Sequence, residues 1–203
     1  MKILISDFLF VNAHKTMNID LIRSISEFSS VDLISLNGYY DSDREVLTAW
    51  GVNIINISLN MENCGPIKSR LCSRKLMKLT GKQATLENYD LIITLAYDTL
   101  AFATGLKYFK GKKIAVFHHK NIDELTNKAK KMIFRYYENR IYHFVFEDFF
   151  RDYLVKNIAV NENRVFLVSH PIRKIDKVIN NEIKYDCVGL CNSNSEKFID
   201  DVI

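Results

Sequence analysis

The sequence predicts an α/β fold in which helices cover both faces of a parallel β-sheet. Short runs rich in Ile, Leu, Val and Phe alternate with segments whose apolar residues recur at helical spacing, as in strands joined by crossover helices. The 203 residues include only two prolines and seven glycines, and 48% are hydrophobic, which excludes a disordered or fibrous chain. This length suffices for one domain and the start of another.

Seven strands and six helices follow from this pattern. We predict strands at residues 2–8, 31–36, 53–58, 91–95, 113–117, 143–146 and 165–168. We predict helices at residues 19–28, 43–50, 67–79, 99–108, 122–142 and 149–157. The helix at 122–142 has the clearest start, because Asn121 can cap it and Glu124 follows three residues later. Seven strands fit a single doubly wound layer.

The chain after residue 172 has a different character. Residues 173–184 are polar and charged without a sustained apolar face, which is typical of a connection between domains. A strand-like run and the opening of a helix follow at 185–203, and these elements are too few to form a core. We therefore expect one domain at 1–172, a linker at 173–184, and the truncated beginning of a second α/β domain at 185–203.

Composition and charge exclude several classes of function. The acid Asp7 interrupts what would be the apolar core of a signal peptide, so we expect a cytoplasmic chain with reduced thiols. The spacing of its four cysteines completes no zinc site, and we expect no bound metal. A net charge of +4 without a recognised motif gives no case for nucleic-acid binding. No apolar run approaches the ~20 residues that span a bilayer.

The predicted fifth strand ends in a pair of histidines, His118 and His119. A Ser-His-Pro-Ile sequence ends at Ile172, and a new apolar strand follows at 186–190. In this order of elements, these features resemble bacterial GT-B glycosyltransferases over nearly the whole chain, as one half of such a molecule. Many members carry a glycine-rich loop after the first strand, whereas residues 9–18 contain no glycine. The resemblance implies a Rossmann-like, acceptor-side domain, followed by the start of the donor-binding domain.

The candidate site residues lie where predicted strands end, because open α/β sheets bind ligands at the carboxyl ends of their strands. The catalytic candidates are His118 and His119, since an imidazole accepts a proton near neutral pH. The candidates for acceptor binding are His14, Lys15, Thr16, Asp98, Glu147 and His170. The candidates for donor binding, in the first turn of the second domain, are Gly189 and Asn192. Capping, turn formation or an ordinary polar loop is the alternative explanation for each.

The helix predicted at 67–79 lies within a stretch, 63–86, that contains no acid. Its cations share one arc of the helix: Lys68, Arg70, Arg74, Lys75 and Lys78. Its apolar residues share another: Leu71, Cys72, Leu76 and Leu79. A basic amphipathic helix of this kind can lie on an anionic membrane surface, or it can be the solvated cover of a sheet.

The resemblance implies that the whole protein transfers a sugar, of the hexosyltransferase type, to a glycan, glycolipid or protein-linked glycan. The donor would be a nucleotide sugar, with no further cofactor, and the product a surface polysaccharide or glycoconjugate. We expect the isolated chain to be inactive, and cytoplasmic with peripheral contact at the inner face of the cell membrane. Two alternatives stay open: a non-catalytic acceptor-binding subunit completed by a partner chain, and one half of a nucleotide-sugar epimerase.

Overall fold

A computed structural model describes residues 1–7, 15–59, 66–96, 102, 105–118 and 140–169, with the backbone alone for 66–70. The chain divides into two units, Met1–Ile172 and Arg173–Ile203. All of the described residues belong to the first unit.

The described residues form one seven-stranded sheet in the order β3-β2-β1-β4-β5-β6-β7, and all neighbouring strands run parallel. Its strands are β1 (Lys2–Asp7), β2 (Ser30–Leu36), β3 (Asn53–Ile57), β4 (Leu91–Ala96), β5 (Lys113–His118), β6 (Ile141–Val145) and β7 (Val165–Leu167). The sheet order runs outward from β1 in both directions, as in a doubly wound, Rossmann-like fold. The predicted fold class is confirmed.

Four helices accompany the strands in the described part of the chain. They are α1 (Lys15–Ser26), α2 (Arg44–Ala49), α3 (Pro66–Leu86) and α4 (Asp148–Asp152), the last continuing into a π-helical turn at Tyr153–Asn157. Short 3₁₀ turns occur at Asp41–Asp43, Leu106–Phe109 and Glu162–Arg164. Two residues beyond the π-helical turn, Ala159 has a positive φ of 62°, which takes the chain out of the helical conformation.

Two predicted helices were too short because contacts with the sheet, rather than apolar spacing alone, set their ends. Helix α1 begins at Lys15 rather than at residue 19, and its first turns include the buried Asn18. Helix α3 continues to Leu86 rather than stopping at residue 79. Its added turns keep Thr80 and Ala84 fully buried against the sheet.

The helix predicted at 122–142 extends too far at its end. Strand β6 already begins at Ile141, which pairs with Ile114 of β5, and Tyr142 pairs with Ala115. Ile141 is fully buried in this position, so sheet pairing overrides the helical period there. Residues 122–139 lie outside the described residues. Of the helix predicted at 99–108, residues 102 and 105 are α-helical, and its end is the 3₁₀ turn Leu106–Phe109.

Each face of the sheet has its own core, because both faces are covered by helices. On one face, Ile5 of β1 and Leu33 of β2 pack with Ile22 of α1 and Leu47 of α2. On the other face, a larger cluster joins Leu4, Ile92, Ile114, Leu76 and Met77. Neighbouring residues of one strand therefore face opposite cores, which explains why the strands are continuous apolar runs rather than alternating ones.

Helix α3 packs closely on the Leu106–Phe109 turn because Gly81 has no side chain. A Cβ at Gly81 would collide with the backbone carbonyl oxygen of Tyr108, and backbone cannot move aside as a side chain can. This contact fixes the second half of α3 against the sheet.

Candidate functional site

A buried polar pair lies at the carboxyl end of β1. Strand β1 ends at Asp7, and the side-chain amide of Asn18 in α1 donates a hydrogen bond to Asp7 Oδ2 at 3.0 Å. Both side chains are completely buried. Burying a carboxylate is costly unless it is hydrogen-bonded, so α1 is positioned by this pair. β1 lies between β2 and β4, where successive connections turn in opposite directions, and this is the point at which such sheets bind ligands.

Two tyrosines follow β2 at the same edge. Gly38, with a φ of 74°, turns the chain after the strand, and the backbone N–H of Tyr40 donates to Ser35 Oγ at 3.3 Å. Burial raises the pKa of Tyr39 to about 12, and the negative charges of Asp7 and Asp43 add to the shift. Burial, with Asp7 next, raises the pKa of Tyr40 as well. Both phenols therefore keep their protons at neutral pH and can act as hydrogen-bond donors.

Lys15, at the start of α1, is held by the loop after β2. Its ammonium group lies 2.7 Å from Asp43 Oδ2 and 2.8 Å from Ser42 Oγ. The same group lies over the rings of Tyr39 and Tyr40, at 5.2 and 5.8 Å from their centroids. Burial alone would raise the pKa of Asp43, but the hydrogen bonds from Lys15 and Ser42 outweigh it and lower that pKa. An anionic ligand would therefore compete with Asp43 for Lys15.

His118 closes β5 as a buried member of a histidine pair. Its side chain is 2% exposed, and its Nε2 lies 2.9 Å from Nδ1 of the fully buried His143 in β6. The two rings are nearly parallel, with centroids 5.2 Å apart. Burial lowers the pKa of His143 to about 3, and the positive charge of Arg164 adds to this effect. His143 is therefore neutral near pH 7, and its hydrogen bond restrains the ring of His118.

The other candidates divide between the described residues and the rest of the chain. Thr16 is exposed in the first turn of α1. Glu147 is exposed and precedes α4, where its backbone oxygen accepts from the N–H of Phe150 at 3.1 Å. Asp148 is the first residue of α4. Six candidates lie outside the described residues: His14, Asp98, His119, His170, Gly189 and Asn192.

Sequence reasoning missed most of the side chains that meet at this edge: Asp7, Asn18, Tyr39, Tyr40, Asp43 and His143. An acid that closes an apolar strand was the available signal for Asp7, because a buried carboxylate requires partners. The partners of Asp7 and of His118 come from elements far apart in the sequence, and no local pattern indicates them.

The basic face of α3 is in part as predicted. Lys75 and Lys78 are exposed, Arg74 is half-buried, and Leu76 is fully buried toward the sheet. Leu71, predicted on the apolar arc, is instead 59% exposed. Lys68 and Arg70 lie in the part of α3 described by backbone alone. Among the described helices, none combines the length and apolar character needed to cross a membrane.

No protein-family profile and no curated protein sequence matches this chain. Solved structures do match its fold. A glycosyltransferase from Rickettsia africae aligns over 83% of this chain and 42% of its own, with 16% identity and a TM-score of 0.55. HepE from Anabaena, in complex with UDP, aligns over 84% and 44%, with 12% identity and a TM-score of 0.53. UGT89C1 from Arabidopsis thaliana, complexed with quercetin, aligns over 85% and 51%, with 12% identity and a TM-score of 0.62. This chain thus has a fold found in glycosyltransferases and spans about half the length of these structures.

Proposed function

We propose that this chain is the acceptor-side half of a two-domain GT-B glycosyltransferase. The observation that carries the proposal is the seven-stranded sheet, which aligns with about half of each of three glycosyltransferase structures. The whole protein would transfer a hexose from a nucleotide sugar to a glycan, glycolipid or protein-linked glycan in the cytoplasm. Gly189 and Asn192 would belong to the donor side of its cleft.

The polar edge of the sheet supports an acceptor site in this half. A sugar hydroxyl needs both donors and acceptors, and Lys15, Asp43 and Thr16 provide them at the ends of β1 and β2. We place His14, Lys15, Asp98, Glu147 and His170 in the same acceptor site. Either His118 or His119 would accept the proton of the attacking hydroxyl.

Activity should require both a donor-binding half and one of the two histidines. We expect no transfer from a panel of nucleotide sugars by residues 1–203 alone, and transfer by the protein extended through the coding sequence beyond Ile203. In the extended protein, His118→Ala and His119→Ala are compared by turnover and by urea unfolding, because His118 also has a buried partner. Loss of turnover in one variant with a normal unfolding midpoint identifies the catalytic histidine.

Two results would contradict this proposal. Product formation by residues 1–203 alone would place a complete active site in this half. Full turnover by both alanine variants would show that neither histidine at the end of β5 takes part in the reaction. A coding sequence that stops at Ile203 would favour the acceptor-binding subunit, and interconversion of a nucleotide sugar without acceptor would favour the epimerase.

We also propose that α3 brings this half to an anionic membrane surface. Each exposed cation near such a surface contributes about 1 kcal/mol. The chain should sediment with vesicles containing phosphatidylglycerol and not with neutral vesicles, and the quadruple Gln variant of Arg70, Arg74, Lys75 and Lys78 should lose most of this binding. A charge-matched control replaces Lys107, Lys110, Lys113 and Lys156 with Gln. Equal sedimentation of both quadruple variants would contradict a role of α3.

A further inference from the structure

An apolar groove lies between the second half of α3 and the edge strand β3. Its volume is about 340 Å³, within the ~300–1,000 Å³ range of small-molecule sites. Its aliphatic lining consists of Ile34, Ile55, Ile57, Leu79 and Leu86. β3 is an outer strand of the sheet, and α3 lies between β3 and β4 in the order of the chain. Leu86 remains 69% exposed at the end of the helix.

A stripe of lysines leads along α3 to this groove. Lys75, Lys78 and Lys82 recur at i, i+3 and i+7, which places them on one side of a helix. All three are exposed, and Lys82 itself lines the groove. α3 contains no acid. The nearest acid after it, Glu87, pairs with the ammonium group of Lys2 at 3.1 Å. Among the described residues that line the groove, Lys82 is the one charged residue, so the lining carries a positive charge.

We propose that this groove binds a single-chain anionic amphiphile, with the hydrocarbon chain against the aliphatic lining and the head group at Lys82 and Lys78. An aliphatic chain fits because contact with the aliphatic side chains of the groove removes apolar surface from water. A carboxylate or phosphate head group fits because the lysines supply charge-assisted donors. As a site for the lipid part of an acceptor, the groove rests on the function proposed above; as a binding site, it stands by itself.

Binding in the groove differs from attraction of a charged surface to a bilayer, because the groove holds a single amphiphile molecule. Titration calorimetry with dodecyl phosphate, below its micelle concentration, should give saturable binding of one molecule per chain. Dodecanoate should bind as well, because its carboxylate, like the phosphate group, is an anionic head group on a twelve-carbon chain. Inorganic phosphate should give no detectable heat, and neutral dodecyl maltoside should bind at least tenfold more weakly than dodecyl phosphate.

Variants separate the chain site from the head-group site. Ile55→Trp fills the groove and should weaken dodecyl phosphate at least tenfold, and Leu86→Ser should do the same by removing an exposed part of the lining. Lys82→Gln should weaken dodecyl phosphate about fivefold and leave dodecyl maltoside unchanged. Leu71→Ser, an exposed leucine on the same helix that does not line the groove, is the matched control and should bind normally. Urea unfolding confirms that each variant is folded.

The outcomes are distinguishable from those of the transferase test. No saturable binding of either anionic amphiphile, or equal binding by Leu86→Ser and Leu71→Ser, would overturn the proposal. Binding to anionic vesicles without binding of monomeric dodecyl phosphate would assign α3 to a membrane surface and would also overturn it. If the extended protein transfers sugar but binds no amphiphile, the proposed function stands and the groove proposal fails.

Discussion

Below pH 6.5, each pH unit of acidification should lower the folding equilibrium constant about tenfold through His143 alone. Burial, with Arg164 as a second cause, lowers the pKa of His143 to about 3 in the folded chain, against about 6.5 in an unfolded one. Between these values the unfolded state binds a proton that the folded state excludes. Stability is therefore unaffected by this group above pH 6.5 and falls with pH down to about 3, by roughly 4 kcal/mol at pH 3.5.

His143→Asn isolates this effect. The amide of Asn occupies about the place of Nδ1 and can keep the hydrogen bond to His118, but it does not titrate. Urea unfolding at pH 7, 6, 5 and 4 should show a shallower decline of the free energy of unfolding in this variant than in the parent chain. Glu162→Gln, which changes an exposed carboxylate, should keep the parent slope. Parallel pH profiles for His143→Asn and the parent would show that His143 takes up protons in the folded chain.

The alternation of strand and helix in the sequence was enough to predict the sheet, because the strands β1, β2, β4 and β5 are nearly continuous buried runs. All seven strands lie within two residues of their predicted bounds at both ends. The errors fall where partners distant in sequence decide the conformation. Ile141 and Tyr142 carry a helical pattern but pair with β5. Helix α3 packs on the Leu106–Phe109 turn beyond its predicted end, a contact that Gly81 permits and that no pattern within α3 indicates.

The candidate site was predictable in location but not in composition. The rule that parallel sheets bind ligands at their carboxyl ends selects Lys15 and His118 from sequence alone. It does not show that Asp43 neutralises Lys15 or that His143 holds His118, because these contacts join loops and strands 25 or more residues apart. A polar residue at a strand end is therefore weak evidence for ligand binding until its partners within the protein are known.

A second buried network lies at the amino ends of the strands, opposite the candidate site. The hydroxyl of Tyr89 donates a hydrogen bond to Asp32 Oδ2, and the side-chain amide of Asn53 donates to Asp32 Oδ1 at 3.0 Å. The ammonium group of Lys2 lies 3.8 Å from Asp32 Oδ2 and over the Tyr89 ring, 4.6 Å from its centroid. Tyr89 is 2% exposed. Burial raises its pKa above the usual value, with the hydrogen bond to Asp32 as the next cause. This network joins β2, β3 and the turn before β4.

Tyr89→Phe should lower the free energy of unfolding by about 2 kcal/mol, because the hydrogen bond from its hydroxyl to the carboxylate of Asp32 is lost. A double-mutant cycle with Asp32→Asn, by urea unfolding at pH 7, measures the coupling directly, and we expect at least 1 kcal/mol, within the ~0.5–3 kcal/mol found for contacting residues. Tyr142→Phe, at a half-buried tyrosine of β6, is the control and should change stability by less than about 0.5 kcal/mol. Additive effects of Tyr89→Phe and Asp32→Asn would mean that the hydroxyl and the carboxylate do not stabilise each other.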